Sequence, residues 1–225
     1  PNITYHLGGH IKEDFETCDL VIKSAGVRLD SPEIAAAHAA GVSVAMSTAL
    51  FAKYAIDAGA RIVGITGTRG KTTVSHMIFH ALQKAGRRAH LGGNVRGVST
   101  LAMLPEIEAG DVVVLELDSW QLQGFGDAKI SPHVAVFTTF FPDHLNYYKG
   151  NLRRYFADKE NIFRFQKHED TFIAGDGVAK HLPTSARKRA VIISSHTPSR
   201  HWRLRIPGEH NRLNAACAAA ACRAL

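Results

Sequence analysis

Residues 64–73 read GITGTRGKTT, a glycine-rich turn that leads from a predicted strand into a predicted helix. The backbone N–H groups of such a turn, and of the helix that follows it, point towards anionic oxygens. Lys71 would bring a positive charge to the β- and γ-phosphates of a nucleotide, and Thr72 would offer a hydroxyl to Mg²⁺. Ile65 stands where the general phosphate-loop pattern has its first glycine, and a turn without ligand is the alternative. The predicted nucleotide-binding residues are Gly67, Thr68, Arg69, Gly70, Lys71, Thr72 and Thr73.

Short apolar runs alternate with helical patterns on both sides of this turn. The predicted strands are residues 19–24, 42–45, 61–66, 111–117, 133–139, 171–174 and 190–194. Helices are predicted after Ser31-Pro32 and at residues 48–58, 71–85, 151–165 and 211–225. Two of the strand runs are continuously apolar, which is typical of a sheet buried on both faces. The rhythm predicts an α/β protein with a mostly parallel, doubly wound sheet, and a domain boundary near residues 57–61.

The composition indicates an ordinary globular protein, because 45% of the residues are hydrophobic and 21% are charged. No run of about 18 uninterrupted apolar residues is present, so the sequence predicts no membrane span. Cys18, Cys217 and Cys222 form neither a disulfide framework nor a metal-spaced cluster. This use of cysteine favours a reducing, cytoplasmic location.

The net charge of +7 comes from one region. Residues 151–212 hold 13 Lys and Arg against 6 Asp and Glu, an excess equal to that of the whole chain. A basic balance suggests an anionic partner such as a nucleotide or a nucleic acid. A nucleic-acid surface interleaves aromatic with basic residues, and residues 187–205 contain only Trp202 as an aromatic. The charge therefore indicates a property of one region, and we predict no nucleic-acid partner.

Residues 64–73 resemble the TGxxGKT loop of the Mur ligase family. Four further stretches support the resemblance in the family's order: 92–95 (GGNV), 115–122 (LELDSWQL), 142–145 (PDHL) and 208–214 (GEHNRLN). The second of these looks most like the D-glutamate-adding members. The resemblance implies a cytoplasmic ligase of peptidoglycan precursor synthesis, which uses ATP and two Mg²⁺ to join D-glutamate to UDP-N-acetylmuramoyl-L-alanine through an acyl phosphate. It also implies that residues 1–58 are part of a Rossmann-like domain that binds the UDP-substrate, and residues 59–225 a central ATP-binding domain.

Glu116 is the candidate metal ligand that the residues themselves indicate. It ends an apolar strand, where open α/β sheets bind ligands, and a buried carboxylate there needs a compensating cation. A salt-bridged structural glutamate is the alternative. The resemblance implies that Glu116 and Thr72 hold one Mg²⁺ and that His144 binds a second. It also implies that Lys159 is carbamylated by CO₂ and ligates that second ion. Alternatively, Lys159 is an ordinary solvated lysine. Lys167 is the competing candidate for the carbamylated lysine.

The resemblance assigns the remaining site residues. Lys71, Lys159 and His144 would be the catalytic residues. The substrate-binding residues would be Ser24, Gly26, Asn94, Ser119 and Gln121. Asn211 and Asn214 would lie against adenine, although Asn211 is also a good N-cap for the last helix.

Other functions remain open at this point. Another Mur ligase or a folylpolyglutamate synthase-like amide ligase is the nearest alternative, and a motor, regulatory or nucleic-acid-binding P-loop NTPase is a more distant one. By resemblance the chain lacks the start of the first domain and all of the last domain. We therefore expect a monomer, with no membrane partner, that binds ATP–Mg²⁺ weakly and does not turn over on its own.

Overall fold

A computed structural model describes residues 3–194 and 202–225. The amino-terminal part contains a small two-stranded parallel sheet joined by a helix, a single βαβ unit. Ser31 caps that helix by accepting a hydrogen bond from the Ile34 N–H, and Pro32 is its first residue, as predicted. The elements are α1 (Lys12–Thr17), β1 (Leu20–Lys23), α2 (Pro32–Ala39) and β2 (Ser43–Met46).

A six-stranded sheet organises the rest of the described chain, and all of its pairings are parallel. Its strands are β3 (Arg61–Thr66), β4 (Ala89–Gly93), β5 (Val112–Glu116), β6 (Val134–Phe137), β7 (Thr171–Gly175) and β8 (Val191–Ile193). Their order in space is β4-β5-β3-β6-β7-β8. The chain moves from β3 to one side and later to the other, so the order reverses between β3 and β6. Such a switch point opens a crevice at the carboxyl ends of the strands, where ligands bind.

Helices cover both faces of this sheet. They are α3 (Ser47–Asp57), α4 (Lys71–Lys84), α5 (Ser119–Asp127), α6 (Leu152–Arg164), α7 (Asp176–Ala179), α8 (Thr184–Arg189) and α9 (Glu209–Arg223), with a 3-10 helix at Leu101–Glu106. The buried side chains of α4 and α9 pack on one face, and those of α3, α5 and α6 on the other. The predicted doubly wound α/β fold is therefore confirmed. The described helices include none with the length and apolarity that a membrane-spanning segment needs.

The central strands show why their sequences are continuously apolar. Val112 and Val114 of β5 belong to the core under α4, whereas Val113 and Leu115 belong to the core on the opposite face. All four are fully buried. Since burying such a side chain stabilises the fold by about 1.5–3 kcal/mol, neither face of β5 tolerates a polar residue at these positions.

The helix that precedes the predicted domain boundary packs on the six-stranded sheet. Phe51, Ala52 and Ala55 of α3 are fully buried in the same core as Val113. The two-stranded sheet has its own small core around Val21 and Ile34. The boundary near residues 57–61 stays a prediction.

The short helices α1, α7 and α8 and the 3-10 helix were not predicted from the sequence. Two further elements, β4 and α5, were missed because their sequences are locally weak. Strand β4 reads AHLGG and has two glycines and no β-branched residue, so its propensity is poor. Helix α5 reads SWQLQGFGD, and its two glycines also argue against a helix. A capping box between Asp118 and Gln121 starts α5, and Leu122 and Phe125 bury its inner side. Helix α9 begins at Glu209, so Asn211 lies inside the helix and its predicted alternative role as N-cap is wrong.

Candidate functional site

The phosphate loop lies at the switch point between β3 and β6, where it joins β3 to α4. Gly67 and Gly70 have φ angles of +151° and +88°, which L-residues rarely adopt. A Cβ on Gly67 would lie 2.0 Å from the Thr138 hydroxyl oxygen. Glycine is therefore required at position 67 by both conformation and space.

Two threonines at the end of β6 hold this loop in shape. The Thr139 carbonyl oxygen accepts a hydrogen bond from the Thr68 N–H at 2.8 Å, and its hydroxyl accepts one from the Arg69 N–H at 2.9 Å. The Thr138 hydroxyl donates to the Arg69 carbonyl oxygen at 2.6 Å. Sequence reasoning assigned no role to these threonines. The available signal was that the apolar run 133–139 ends in two hydroxyl residues beside the switch point.

Helix α4 directs its positive end at the space above the loop. Its N-cap is Gly70, which has no side chain to satisfy the first N–H groups of the helix. Lys71 adds a full positive charge at the same place, and its Nζ donates to the Gly67 carbonyl oxygen at 3.1 Å. Unsatisfied N–H groups, the helix dipole and a lysine together favour an anionic ligand such as a phosphate group.

Glu116 ends β5, the strand next to the loop, and only 4% of it is exposed. Its Oε2 is buried and has no hydrogen-bond partner among the described residues. Burial raises the pKa of this carboxyl group, while the Thr72 hydroxyl and the Lys71 charge act in the opposite direction. A carboxylate and a hydroxyl are the oxygen ligands that Mg²⁺ prefers. The residues present therefore fit a magnesium ion between β5 and the start of α4.

Lys159 of α6 reaches the phosphate loop from the other side. It is 2% exposed, and its Nζ donates to the Thr66 hydroxyl at 3.2 Å and to the Gly67 carbonyl oxygen at 3.3 Å. Burial lowers its pKa to about 7, and the nearby Lys71 charge acts in the same direction. The alternative of a solvated surface lysine is therefore wrong. Lys167, the competing lysine, is exposed and lies after the end of α6.

Burial of the Lys159 amine predicts how stability depends on pH. The folded state holds this amine near a pKa of 7, whereas the unfolded chain has the ordinary value of 10.5. Between these two values the unfolded state binds more protons, so stability rises as the pH rises from 7 towards 10.5. The contribution is at most about 1.4 kcal/mol per pH unit, the limit for one proton. Urea unfolding at pH 7, 8 and 9 in CO₂-free buffer measures it.

A variant pair isolates that contribution from the other titrating groups. Lys159→Met removes the buried amine and should flatten the rise in unfolding free energy between pH 7 and 9. The matched control is Lys180→Met, which changes an exposed lysine and should leave the rise intact. An unchanged slope in Lys159→Met contradicts a neutral buried amine.

His144 lies on the exposed loop between β6 and α6. Its ring packs 4.9 Å from the Trp120 ring and 6.1 Å from the Tyr155 ring. Within the described ranges, no three His, Cys, Asp or Glu side chains are close enough to hold a metal ion. Glu116 and His144 therefore belong to no such group of three, and the second metal position stays a prediction.

The predicted substrate residues fall into three places. Ser24 and Gly26 are exposed in the turn after β1, and Gly26 lines a cavity of about 90 Å³ with Trp120. Asn94 is exposed after β4, and its N–H donates to the Glu116 carbonyl oxygen at 2.7 Å.

Ser119 and Gln121 are buried at the start of α5, which begins three residues after Glu116. The Gln121 amide is used internally: its Oε1 accepts from the Asp118 N–H at 3.1 Å, and its Nε2 donates to the Thr48 hydroxyl at 3.2 Å. Substrate binding by Ser119 and Gln121 stays a prediction. The structure shows Gln121 fixing the first turn of α5.

Helix α9 brings Asn214 against the phosphate loop, and Asn211 lies three residues earlier in the same helix. Asn214 is 4% exposed, and a Cβ on Gly70 would lie 2.5 Å from its Oδ1. Its Nδ2 donates to Asn211 Oδ1 at 3.1 Å, and Asn211 Nδ2 donates to the Pro207 carbonyl oxygen at 2.7 Å. Both amides were predicted to lie at the nucleotide site. Asn214 lies against Gly70 of the phosphate loop, and Asn211 is linked to it by the Asn214 amide.

Residues 65–195 match the family model that describes the middle domain of Mur ligases. The chain belongs to the Mur ligase family. The matched segment begins inside the phosphate loop and includes Glu116, His144 and Lys159. It also contains β4 and α5, the two elements whose sequences are locally weak.

Two relatives of this Mur ligase chain carry the name UDP-N-acetylmuramoylalanine–D-glutamate ligase. The protein of Acetivibrio thermocellus is 37% identical over 198 residues, which cover 87% of this chain and 41% of the relative. That of a Roseiflexus species is 33% identical over 200 residues, covering 89% and 41%. The chain thus spans about 41% of the length of these relatives.

Solved Mur ligase structures share the fold. The UDP-N-acetylmuramate–alanine ligase MurC of Thermotoga maritima superimposes with a TM-score of 0.57 at 23% identity, over 95% of this chain and 53% of that one. MurF of Acinetobacter baumannii gives a TM-score of 0.59 at 21% identity, over 93% and 57%. These likenesses confirm the α/β architecture of the family.

Proposed function

We propose that this chain is the nucleotide-binding part of a ligase that joins D-glutamate to UDP-N-acetylmuramoyl-L-alanine with ATP. Mur ligases are ATP-dependent and use Mg²⁺. The choice of D-glutamate ligase within the family rests on the relatives that carry that name at 33–37% identity. Residues 59–225 would be the ATP-binding domain, and residues 1–58 part of the domain that holds the UDP-substrate. We propose a cytoplasmic monomer.

One observation carries the proposal. Glu116, Lys71 and Lys159 come from three different elements and converge on the phosphate loop at a single edge of the sheet. Lys71 and Lys159 both donate to the Gly67 carbonyl oxygen, and the Thr72 hydroxyl interacts with the Glu116 carboxyl group. A buried acid beside two lysines and a helix N-terminus is a site built for a triphosphate with its counter-ion.

The first reaction step is phosphoryl transfer. A carboxylate oxygen of the acceptor attacks the γ-phosphorus of ATP, the bond to the β-phosphate oxygen breaks, and ADP leaves an acyl phosphate behind. Lys71 and the first N–H groups of α4 would stabilise the charge on the transferred group. Mg²⁺ when bound neutralises phosphate charge, and Glu116 and Thr72 would hold it. The remaining residues 67–73 would enclose the phosphates, and Asn211 and Asn214 would lie against adenine.

The second step is amide formation. The amino group of D-glutamate attacks the acyl carbon, phosphate leaves, and the nitrogen loses a proton. Ser24, Gly26, Asn94, Ser119 and Gln121 would orient the acceptor substrate. They come from the turn after β1, the residue that follows β4 and the start of α5.

Lys159 is suited to carbamylation. Its neutral amine would attack the carbon of CO₂, form an N–C bond and release one proton, which leaves a carboxylate beside the phosphate loop. A pKa near 7 supports this step, since an ammonium group has no lone pair to attack with. With His144, the new carboxylate would hold a second Mg²⁺.

Nucleotide titration tests the proposed function. We expect calorimetry to show that Mg²⁺ strengthens ATP binding to the wild-type chain. Glu116→Gln should reduce that gain about 10- to 100-fold, since the loss of an interaction with a charged group costs about 1.5–3 kcal/mol. The control Glu169→Gln changes an exposed glutamate far from the loop in sequence and should keep the gain. Equal Mg²⁺ dependence in all three proteins argues against the site. Assaying ADP release with both substrates in the same samples tests whether the chain alone is inactive.

Ligand-observed NMR separates the proposed substrate from the alternatives. Saturation transfer to UDP-N-acetylmuramoyl-L-alanine supports the Mur assignment, whereas transfer to dihydropteroate instead supports a folylpolyglutamate synthase-like ligase. The basic run 187–205, on which a nucleic-acid-binding alternative depends, falls partly outside the described residues, at 195–201. Salt-sensitive retention of DNA in a filter assay would support that alternative.

A further inference from the structure

A partly buried carboxylate on α6, that of Asp158, joins three parts of the site, and the proposed reaction uses none of the groups involved. Asp158 Oδ2 accepts a hydrogen bond from Gln123 Nε2 at 2.8 Å and another from the Tyr148 hydroxyl at 2.8 Å. Gln123 belongs to α5, which starts three residues after Glu116. Tyr148 belongs to residues 144–151, here called the His144 loop, which lead from β6 into α6.

Asp158 and Lys159 are adjacent on α6 but contact different parts of the structure. The Lys159 amine enters the phosphate loop, whereas the Asp158 carboxylate faces α5 and the His144 loop. The position of α6 relative to the phosphate loop is thereby tied to the position of the His144 loop. One oxygen atom accepts both bonds, so the two donors are held close to each other as well as to α6.

The His144 loop needs such an anchor because its backbone is strained. His144 and Lys149 have φ angles of +51° and +50°, a region that residues other than glycine adopt at a cost of about 1–3 kcal/mol. Conformations of this kind persist only where surrounding contacts enforce them. Tyr148 lies directly before Lys149 and is 5% exposed. Its hydroxyl donates the hydrogen bond that Asp158 accepts.

Aromatic packing places the rest of the loop once Tyr148 is held. The Tyr148 ring lies 5.1 Å from Tyr155 of α6, and the Tyr147 ring lies 5.4 Å from Trp120 of α5. The His144 ring then rests 4.9 Å from the Trp120 ring. These contacts are weak individually, so their geometry depends on the hydrogen bonds that Asp158 accepts from Gln123 and Tyr148.

We propose that Asp158 is a positioning residue that holds the His144 loop on α5 and α6 through its bonds to Tyr148 and Gln123. Its importance for ligation rests on the proposed function, in which His144 binds a metal ion. The docking of the loop is a property of the chain without any ligand. An experiment without nucleotide therefore distinguishes a failure of this proposal from a failure of the proposed function.

Trp120 fluorescence reports this docking. The chain has two tryptophans, so a Trp202→Phe background leaves Trp120 as the only one. In that background we expect Asp158→Ala to shift Trp120 emission to the red and to raise its acrylamide quenching at least about twofold, as the loop opens locally. Circular dichroism should show unchanged helix content. Tyr148→Phe removes only the hydroxyl and should give a smaller change in the same direction.

Asp158→Asn is the conservative variant, because its amide oxygen can accept both hydrogen bonds. We expect it to restore quenching to the level of the background protein. Glu169→Ala, at an exposed acid, should also match the background. If Asp158→Ala does not fold, Tyr148→Phe and Asp158→Asn still decide the matter. Two results would overturn the proposal. One is quenching in Tyr148→Phe that equals the background protein. The other is quenching in Asp158→Asn that is as strong as in Asp158→Ala or Tyr148→Phe.

Discussion

Lys71→Ala is expected to weaken ATP binding about 10- to 100-fold without unfolding the protein. The Lys71 ammonium group stands at the first residue of α4, beside the N–H groups that Gly70 leaves uncapped. Its Nζ already contacts the Gly67 carbonyl oxygen and would turn to a phosphate oxygen with little movement. A hydrogen bond to a charged group contributes about 1.5–3 kcal/mol, and each 1.4 kcal/mol is a factor of ten in affinity. Calorimetric titration with ATP–Mg²⁺ measures the change.

The other end of the same helix provides the control. Lys84→Ala removes an exposed lysine from the last turn of α4, so it lowers the net charge equally but leaves the loop intact. We expect its ATP affinity to match that of the wild type. An unaltered affinity in Lys71→Ala would contradict the phosphate-loop interpretation, because Lys71 is the residue whose ammonium group stands beside the uncapped N–H groups of α4.

Gly93→Ala is expected to destabilise the fold by about 3 kcal/mol or more. Gly93 ends β4 with a φ angle of +85°, and a Cβ there would lie 2.1 Å from the Glu116 carbonyl oxygen. The atom in the way belongs to the backbone of β5, so it cannot rotate aside as a side-chain atom could. Steric overlap therefore adds to the cost of about 1–2 kcal/mol that an L-residue pays in a left-handed conformation. Urea unfolding measures the loss.

Gly97→Ala separates the two contributions. Gly97 has a similar φ angle of +78°, but nothing lies within 4 Å of the place where its Cβ would be. It should therefore lose only the conformational part, about 1–2 kcal/mol. If both variants lose the same stability, the close approach of β4 to Glu116 does not constrain residue 93.

Gly93 also shows that a sequence motif can be recognised without its physical cause. The GGNV stretch at residues 92–95 supported the family resemblance, but the sequence offered no physical reason for its second glycine. The structure supplies the reason, because β4 pairs with β5 in a register that sets Gly93 opposite Glu116. Register is a property of two strands, and neither strand encodes it alone.

The position of the phosphate loop and the fold class followed from the sequence alone. Residues 64–73 carry their own signals: glycines where the chain must turn sharply, a lysine and threonines where a helix starts, and an apolar strand before them. The continuous apolar runs at β5 and β6 indicate a sheet covered on both faces, since any exposed face would carry polar residues. These signals are local, so contiguous residues suffice to predict them.

The tertiary structure decided what the site residues experience. Lys159 reads as one lysine of a basic helix, yet its amine is buried against Thr66 and Gly67, and its pKa is lowered accordingly. Asn214 meets Gly70 only because α9 returns to α4. Asp158 gains its two donors because α5, α6 and the His144 loop converge. Burial and such contacts depend on the order of strands in the sheet, and this order arises only when distant segments pack together.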